Sequence, residues 1–231
     1  TETGEYPMRT EPDAVRGTIF FFGVKLVNRT PLLLSLHIIY FREHNRRARK
    51  LKLECPEDCS DEEIYQRARR WNIAIHQKVT YEQYLPLLVG DLLPKYKDYD
   101  SSVDPSIDLF FTNLAFLYGH STMNSIMYRL KEDLTPVVGG HVLLRDVFND
   151  VDSVLEYGVD PYIRGMNYQP EQRVDLNVVE DLRSLFPLQS PFGIDIVAAG
   201  VKRNREVKTC RYNEARKAFN LPVVTDWAEL H

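Results

Sequence analysis

Apolar positions recur at intervals of three and four along much of this chain, the period of a helix face, and strand-like alternation is scarce. From Leu32 to about Leu53, Leu33, Leu36, Tyr40, His44, Ala48 and Leu51 keep that spacing. Arg42, Arg46, Arg47, Arg49 and Lys50 occupy the other face and read as a solvated basic stripe. A second helix opens on Ser60 and Glu63, spaced as a capping box. It continues through Ile64, Ala68, Trp71, Ile75 and Val79 to Tyr84-Leu85-Pro86, where the proline predicts a break or kink. Asp104 as N-cap and Pro105 at the first helical position predict a third. Its stripe is Leu109, Asn113, Phe116, His120, Met123, Met127 and Leu130, with His120 in the middle. Residues 131–172 read as loop-rich, marked by Gly139-Gly140 and Gly158-Val159-Asp160-Pro161. Val174, Val178, Leu182 and Leu185 predict a further helix ending near Pro187, and Tyr212, Ala215 and Phe219 a shorter one ending before Pro222. Residues 1–18 form an irregular lead-in, and the class is mainly α.

Composition narrows the function classes. The 231 residues carry 29 Lys and Arg against 33 Asp and Glu, a net charge of −4, so no overall basic field exists to grip nucleic acid. The longest apolar run, Ile19 to Val24, is far shorter than the ~18–20 residues of a membrane span. Cys55 and Cys59 stand four apart with Cys210 far downstream, a pattern that suits a local disulfide or two free thiols better than zinc. Asn28-Arg29-Thr30 is a glycosylation sequon followed directly by Pro31. On spacing alone, His120 is either a cofactor ligand or a satisfied core imidazole. His37, His44, His76 and His141 read as packing, hydrogen-bonding or loop residues, and the basic stretch from Lys202 to Arg211 as a solvated loop.

Six stretches occur together in one order. They are Arg42-Glu43-His44-Asn45-Arg46; Tyr81 through Tyr84-Leu85-Pro86; Asp104-Pro105; and Ala115-Phe116-Leu117-Tyr118-Gly119-His120. The last two are Gly158-Val159-Asp160-Pro161-Tyr162-Ile163-Arg164-Gly165 and Tyr212-Asn213-Glu214-Ala215-Arg216. In this order they resemble the animal haem peroxidase family, the myeloperoxidase and peroxidasin group. The resemblance implies a helical fold, with residues 19–231 forming the central and C-terminal part of a larger domain. It implies haem b as cofactor and His120 as proximal ligand of the iron, with Gly119 letting the macrocycle approach the backbone. Calcium stays open, because the usual ligands would fall mostly outside this stretch. The resemblance also implies an extracellular or secretory-pathway location.

Compared with the family pattern, the pocket is altered. The family's distal His has no counterpart in residues 1–31. Leu26 stands at the distal Arg position and cannot donate a hydrogen bond, although a shifted register would let Arg29 serve instead. In the unshifted register Arg29 replaces a Glu that can ester-link to haem. Leu117 replaces an Arg that pairs with a haem propionate, and Gly200 replaces the Asn that accepts the proximal His hydrogen bond. Arg203 keeps a propionate-pairing position. The loss of one donor that stabilises developing charge typically costs ~10²–10³ in rate. The residues therefore predict a divergent, catalytically impaired domain serving as a structural or interaction module. The alternative is an H2O2-dependent peroxidase whose distal half comes from an upstream segment or another chain.

Overall fold

A computed structural model describes residues 6–7, 20–55, 59–184 and 194–230. Most of the lead-in and the expected helix end near Pro187 lie outside the described residues. The chain divides into two compact units, Thr1–Ser101 with Ile126–Pro170, and Ser102–Ser125 with Glu171–His231.

The first unit is built on a helical hairpin, α1 (Pro31–Glu54) and α2 (Asp61–Val79). Thr30 caps α1 by accepting from the Leu33 amide at 3.2 Å, and Pro31 supplies a first position that needs no N–H. A 3-10 turn, Lys25–Arg29, precedes it. Within that turn Asn28 is buried, accepting from the Phe20 amide at 2.9 Å and donating to the Phe20 carbonyl at 3.1 Å. Both amide atoms are thus committed inside the fold, so the sequon is not open to a glycan. The capping box of α2 forms as predicted: Ser60 Oγ accepts from the Glu63 amide, and the Glu63 carboxylate accepts from the Ser60 amide. Cys55 and Cys59 form a disulfide across the turn between the helices.

Pro86 does not end the second helical run. A π turn, Thr80–Tyr84, leads into α3 (Leu85–Val89), and the Leu85 amide bonds to the Thr80 carbonyl five residues back. The wider turn brings Pro86 into an early position of α3, where its missing N–H costs little.

Leu34 and Ile38 on α1 form the principal core with Phe20, Val27, Val154 of α5 (Asp152–Tyr157), Tyr162 of α6 (Asp160–Tyr168), and Val151 and Val159, which immediately precede those two helices. Near the other end of α1, Leu51 packs with Ile64 and Ala68 of α2. Residues 131–172 therefore hold more helix than predicted. Gly158, at φ +76°, closes α5, and Pro161 opens α6: the same punctuation marks a boundary between two helices. Two short strands, β1 (Ile126–Met127) and β2 (Val142–Leu143), pair antiparallel. Between them Arg129 is buried. Its Nε donates to the Gly140 carbonyl at 2.9 Å, and its guanidinium lies 4.2 Å from the Tyr157 ring centre.

The second unit holds α4 (Leu109–Asn113), α7 (Glu180–Arg183), α8 (Ile196–Glu206) and α9 (Tyr212–Ala218). Here the predictions need three corrections. The third helix does not run from Pro105 to Leu130. Asp108, not Asp104, is the N-cap, and Leu114 leaves helical geometry after a helix of five residues. Val174 and Val178 precede α7 and are not helical, because Asp175 accepts from the Asn177 amide in a local turn. Lys202 to Glu206 are the last residues of α8 rather than a loop, and Asp195 caps that helix by accepting from the Val197 and Ala198 amides.

Candidate functional site

His120 is the last residue of a 3-10 segment, Ala115–His120, that follows α4. The tighter winding ends in two side-chain bonds back to the backbone: Ser121 Oγ donates to the Tyr118 carbonyl at 2.8 Å, and Thr122 Oγ1 to the Gly119 carbonyl at 3.0 Å. These short polar side chains compete with helix continuation, which is why the apolar spacing beyond His120 does not extend the helix. Met127 instead lies in β1 and is buried.

The imidazole of His120 is half-buried, and among the described residues no hydrogen bond or ion pair engages it. Burial holds its pKa below the ordinary histidine value, which favours the neutral ring at physiological pH. A neutral imidazole has a free nitrogen lone pair, the form that ligates a metal. Beside it, a Cβ placed on Gly119 would find nothing within 4 Å. The backbone next to the ring is therefore open, a condition that suits a flat ligand stacked against it. An unbonded neutral ring and an open flank together fit a haem group.

Helix α8 supplies the other residues of this unit that were expected at the site. Arg203 is exposed and makes no ion pair among the described residues. Gly200 faces Leu117, whose Cδ1 would lie 3.6 Å from a Cβ on the glycine, so these two replaced positions are neighbours. Asn204, one turn on from Gly200, donates to the Asn113 carbonyl at 3.0 Å and the Gly200 carbonyl at 2.9 Å, tying α8 to the end of α4. Its Oδ1 is buried without a hydrogen-bond partner among the described residues. Asn204 is not among the residues the sequence marks for the site. The signal was its four-residue spacing from Gly200, visible once 196–206 is taken as helix.

Leu26 and Arg29 belong to the first unit. Leu26 is exposed, and the Arg29 guanidinium lies over the Phe148 ring at 5.2 Å. The other histidines pack as expected. His37 Nδ1 lies 2.9 Å from the Leu33 carbonyl, His44 lies against Tyr65, His76 against Tyr40, and His141 stacks on Tyr128 with centroids 4.2 Å apart. A cavity of about 1000 Å³ in the first unit, lined by Tyr81, Glu82, Pro86, Leu93 and Tyr96 among others, contains none of these site residues.

A family model described as animal haem peroxidase matches residues 2–231. Peroxinectin A of Dictyostelium discoideum is 31% identical over 240 residues, covering all of this chain and 44% of its own length. Myeloperoxidase of Mus musculus is 37% identical over 221 residues, covering 91% of this chain and 30% of its own. Among solved structures, peroxidase A from Dictyostelium discoideum superposes with a TM-score of 0.85 at 29% identity, covering 98% of this chain and 44% of that one. The chain thus spans less than half the length of each of these relatives.

Proposed function

The chain belongs to the animal haem peroxidase family, and from that membership we propose that His120 is the axial ligand of a haem, in a domain whose peroxidase turnover is impaired and which serves as a structural or interaction module. The observation that carries the ligand role is the half-buried, unbonded, neutral His120 ring beside the open backbone of Gly119. The 3-10 winding and the Ser121 and Thr122 bonds fix the segment that presents the ring, so the ligand is oriented before anything binds. Arg203, exposed and free of ion pairs among the described residues, suits a propionate carboxylate.

Haem, when bound, supplies an iron centre for two-electron reduction of peroxide. What this chain lacks is the protein half of that chemistry. Leu26 has no N–H to steady charge developing on a departing oxygen. Gly200 has no side chain to accept a hydrogen bond from the second imidazole nitrogen, so ligand basicity is not raised in the usual way. Leu117 leaves one propionate without a cation. These replacements support impairment by separate physical routes.

The second reading is an H2O2-dependent peroxidase completed by another segment or chain. It is favoured by the relatives being more than twice as long, and by exposed apolar side chains in the second unit such as Ile107, Phe116 and Trp227. The Cys55–Cys59 disulfide supports an oxidising compartment, extracellular or secretory, on either reading.

Haemin titration into the purified chain tests the ligand role. A sharp Soret band is expected, lost in His120→Ala, and a band unchanged in that variant overturns it. Peroxide-dependent dye oxidation by the haem-loaded chain then separates the readings: little turnover is expected here, and rates comparable to an intact peroxidase refute impairment.

A further inference from the structure

We propose that one flank of the α1/α2 hairpin binds a sulfated polysaccharide. The inference is independent of haem, since it uses only residues outside the site described above.

The chain as a whole is acidic, yet its positive charge is concentrated here. From 42 to 52 there are six basic residues, with Glu43 the lone acid, and from 66 to 78 there are four with no acid. The sequence Arg46-Arg47-Ala48-Arg49-Lys50 has the doublet spacing of polyanion-binding segments. Wound into a helix, it places Arg46, Arg49 and Lys50 within one turn of one another. The helices run antiparallel: Leu51 meets Ile64 and Ala68, while Trp71 Nε1 donates to Glu43 at 2.8 Å and Asn72 Nδ2 to the Tyr40 carbonyl at 3.0 Å. On the flank where Trp71 meets Glu43, helical spacing brings Arg67 and Arg70 of α2 alongside Arg46, Arg47 and Lys50 of α1.

Several of these cations are available. Arg70 is exposed and makes no ion pair among the described residues, and the same holds for Arg49, which borders the flank one turn from Arg46. Arg46 is held by Glu43 through Nε and Nη2, at 2.7 and 2.8 Å, which orients the guanidinium while leaving Nη1 to donate outward. Trp71 lies among them, 42% exposed, with the Arg47 guanidinium 4.9 Å from its ring centre. An aromatic ring among cations suits a sugar ring carrying anionic groups.

Shape and compartment favour a polysaccharide over other polyanions. The cations follow the axis of the helical pair, recurring about every 5.4 Å with each turn, so they match a linear polymer with regularly spaced charges. The Cys55–Cys59 disulfide at the end of the same hairpin belongs to an oxidising compartment, where sulfated glycans rather than nucleic acids are the polyanions met.

The test is binding of a heparin oligosaccharide to the full chain by fluorescence anisotropy, with duplex DNA, phosphatidylserine vesicles and fully desulfated heparin in parallel. Saturable binding that weakens as salt rises is expected. Replacing Arg46, Arg49 and Arg70 together by Gln should weaken it by about tenfold or more, and the single exposed change Arg49→Gln by about threefold. Lys202→Gln with Arg205→Gln on α8 should leave it unchanged. The single variant keeps the test decisive if the triple variant fails to fold. No binding by the unaltered chain, equal binding of desulfated heparin, DNA or vesicles bound as tightly, or an unaffected Arg49→Gln variant would each overturn the proposal.

Discussion

Gly165 lies inside α6 with its backbone pressed against the residue that follows β1: a Cβ there would stand 2.0 Å from the Tyr128 carbonyl oxygen and 2.7 Å from its carbon. Those atoms are backbone and cannot swing aside, so Gly165→Ala must push α6 away from the segment around β1, at a cost of about 2–3 kcal/mol. Gly200, inside α8, predicts the opposite sign. Its Cβ would make only an ordinary 3.6 Å contact with Leu117, and Ala is worth about 0.5–1 kcal/mol over Gly in a helix interior. Urea midpoints for the two variants should move apart, Gly165→Ala down and Gly200→Ala up; a shift of the same sign in both would show that the packing is misread. At this scale the sequence was informative wherever a residue's chemistry is local. The role of Ser60 as a cap follows from Glu63, three residues away. Spacing relates Asn204 to Gly200, but its other partner, Asn113, and the Tyr128 backbone against Gly165 lie more than thirty residues away, where no spacing rule reaches.

Elements were readable in proportion to their length and to the clarity of their ends. The helices α1 and α2, at 24 and 19 residues, sustain an apolar stripe over several turns, and α2 also opens on a clear capping box; both fall where predicted. The segment after Asp104 carries the same three-and-four spacing, yet the chain folds it into a five-residue helix, a 3-10 turn and a strand. Apolar period alone could not register that Ser121 and Thr122 bond back to the preceding carbonyls. In α8 the reverse holds: a charged C-terminal half obscures a helix whose start, Asp195, is a good cap. The cap of α2 offers a direct check on this reasoning. Ser60→Ala removes the oxygen that accepts from the Glu63 amide and should cost about 1 kcal/mol in stability at neutral pH. The Ser60 backbone amide, then its hydroxyl, hold the Glu63 carboxyl below its ordinary pKa. A lowered carboxyl pKa stabilises the fold above the ordinary glutamate range, and that contribution is lost as pH falls through the folded value. The gap between Ser60→Ala and the unaltered chain should therefore narrow in acid, and a gap that widened there would contradict the capping box.

Across the whole molecule, burial is distributed unevenly. Of the buried hydrophobic residues among those described, only Leu182 and Ala215 lie in the second unit; the rest, including Phe20, Leu34, Ile38 and Tyr162, build the cores of the first. Large exposed apolar side chains occur in both units, Leu87 at 89% in the first and Leu176 at 89% in the second, so it is the buried set that tells them apart. Local stability follows buried apolar contact, so the two units should open at different free energies. Native-state hydrogen exchange is expected to show the slowest amides in α1, α5 and α6, with α8 and α9 exchanging through openings of lower energy. Because His120 and Arg203 both belong to the less buried unit, a ligand held by them would stabilise that unit through its preference for the folded form. Haemin should therefore slow exchange in α4 and α8 more than in α5 and α6. The same comparison in His120→Ala separates specific ligation from adventitious adsorption, since only the former depends on the imidazole. Uniform exchange across both units would contradict the burial argument, and protection by haemin that survives loss of the imidazole would contradict the ligand assignment while leaving the burial argument intact.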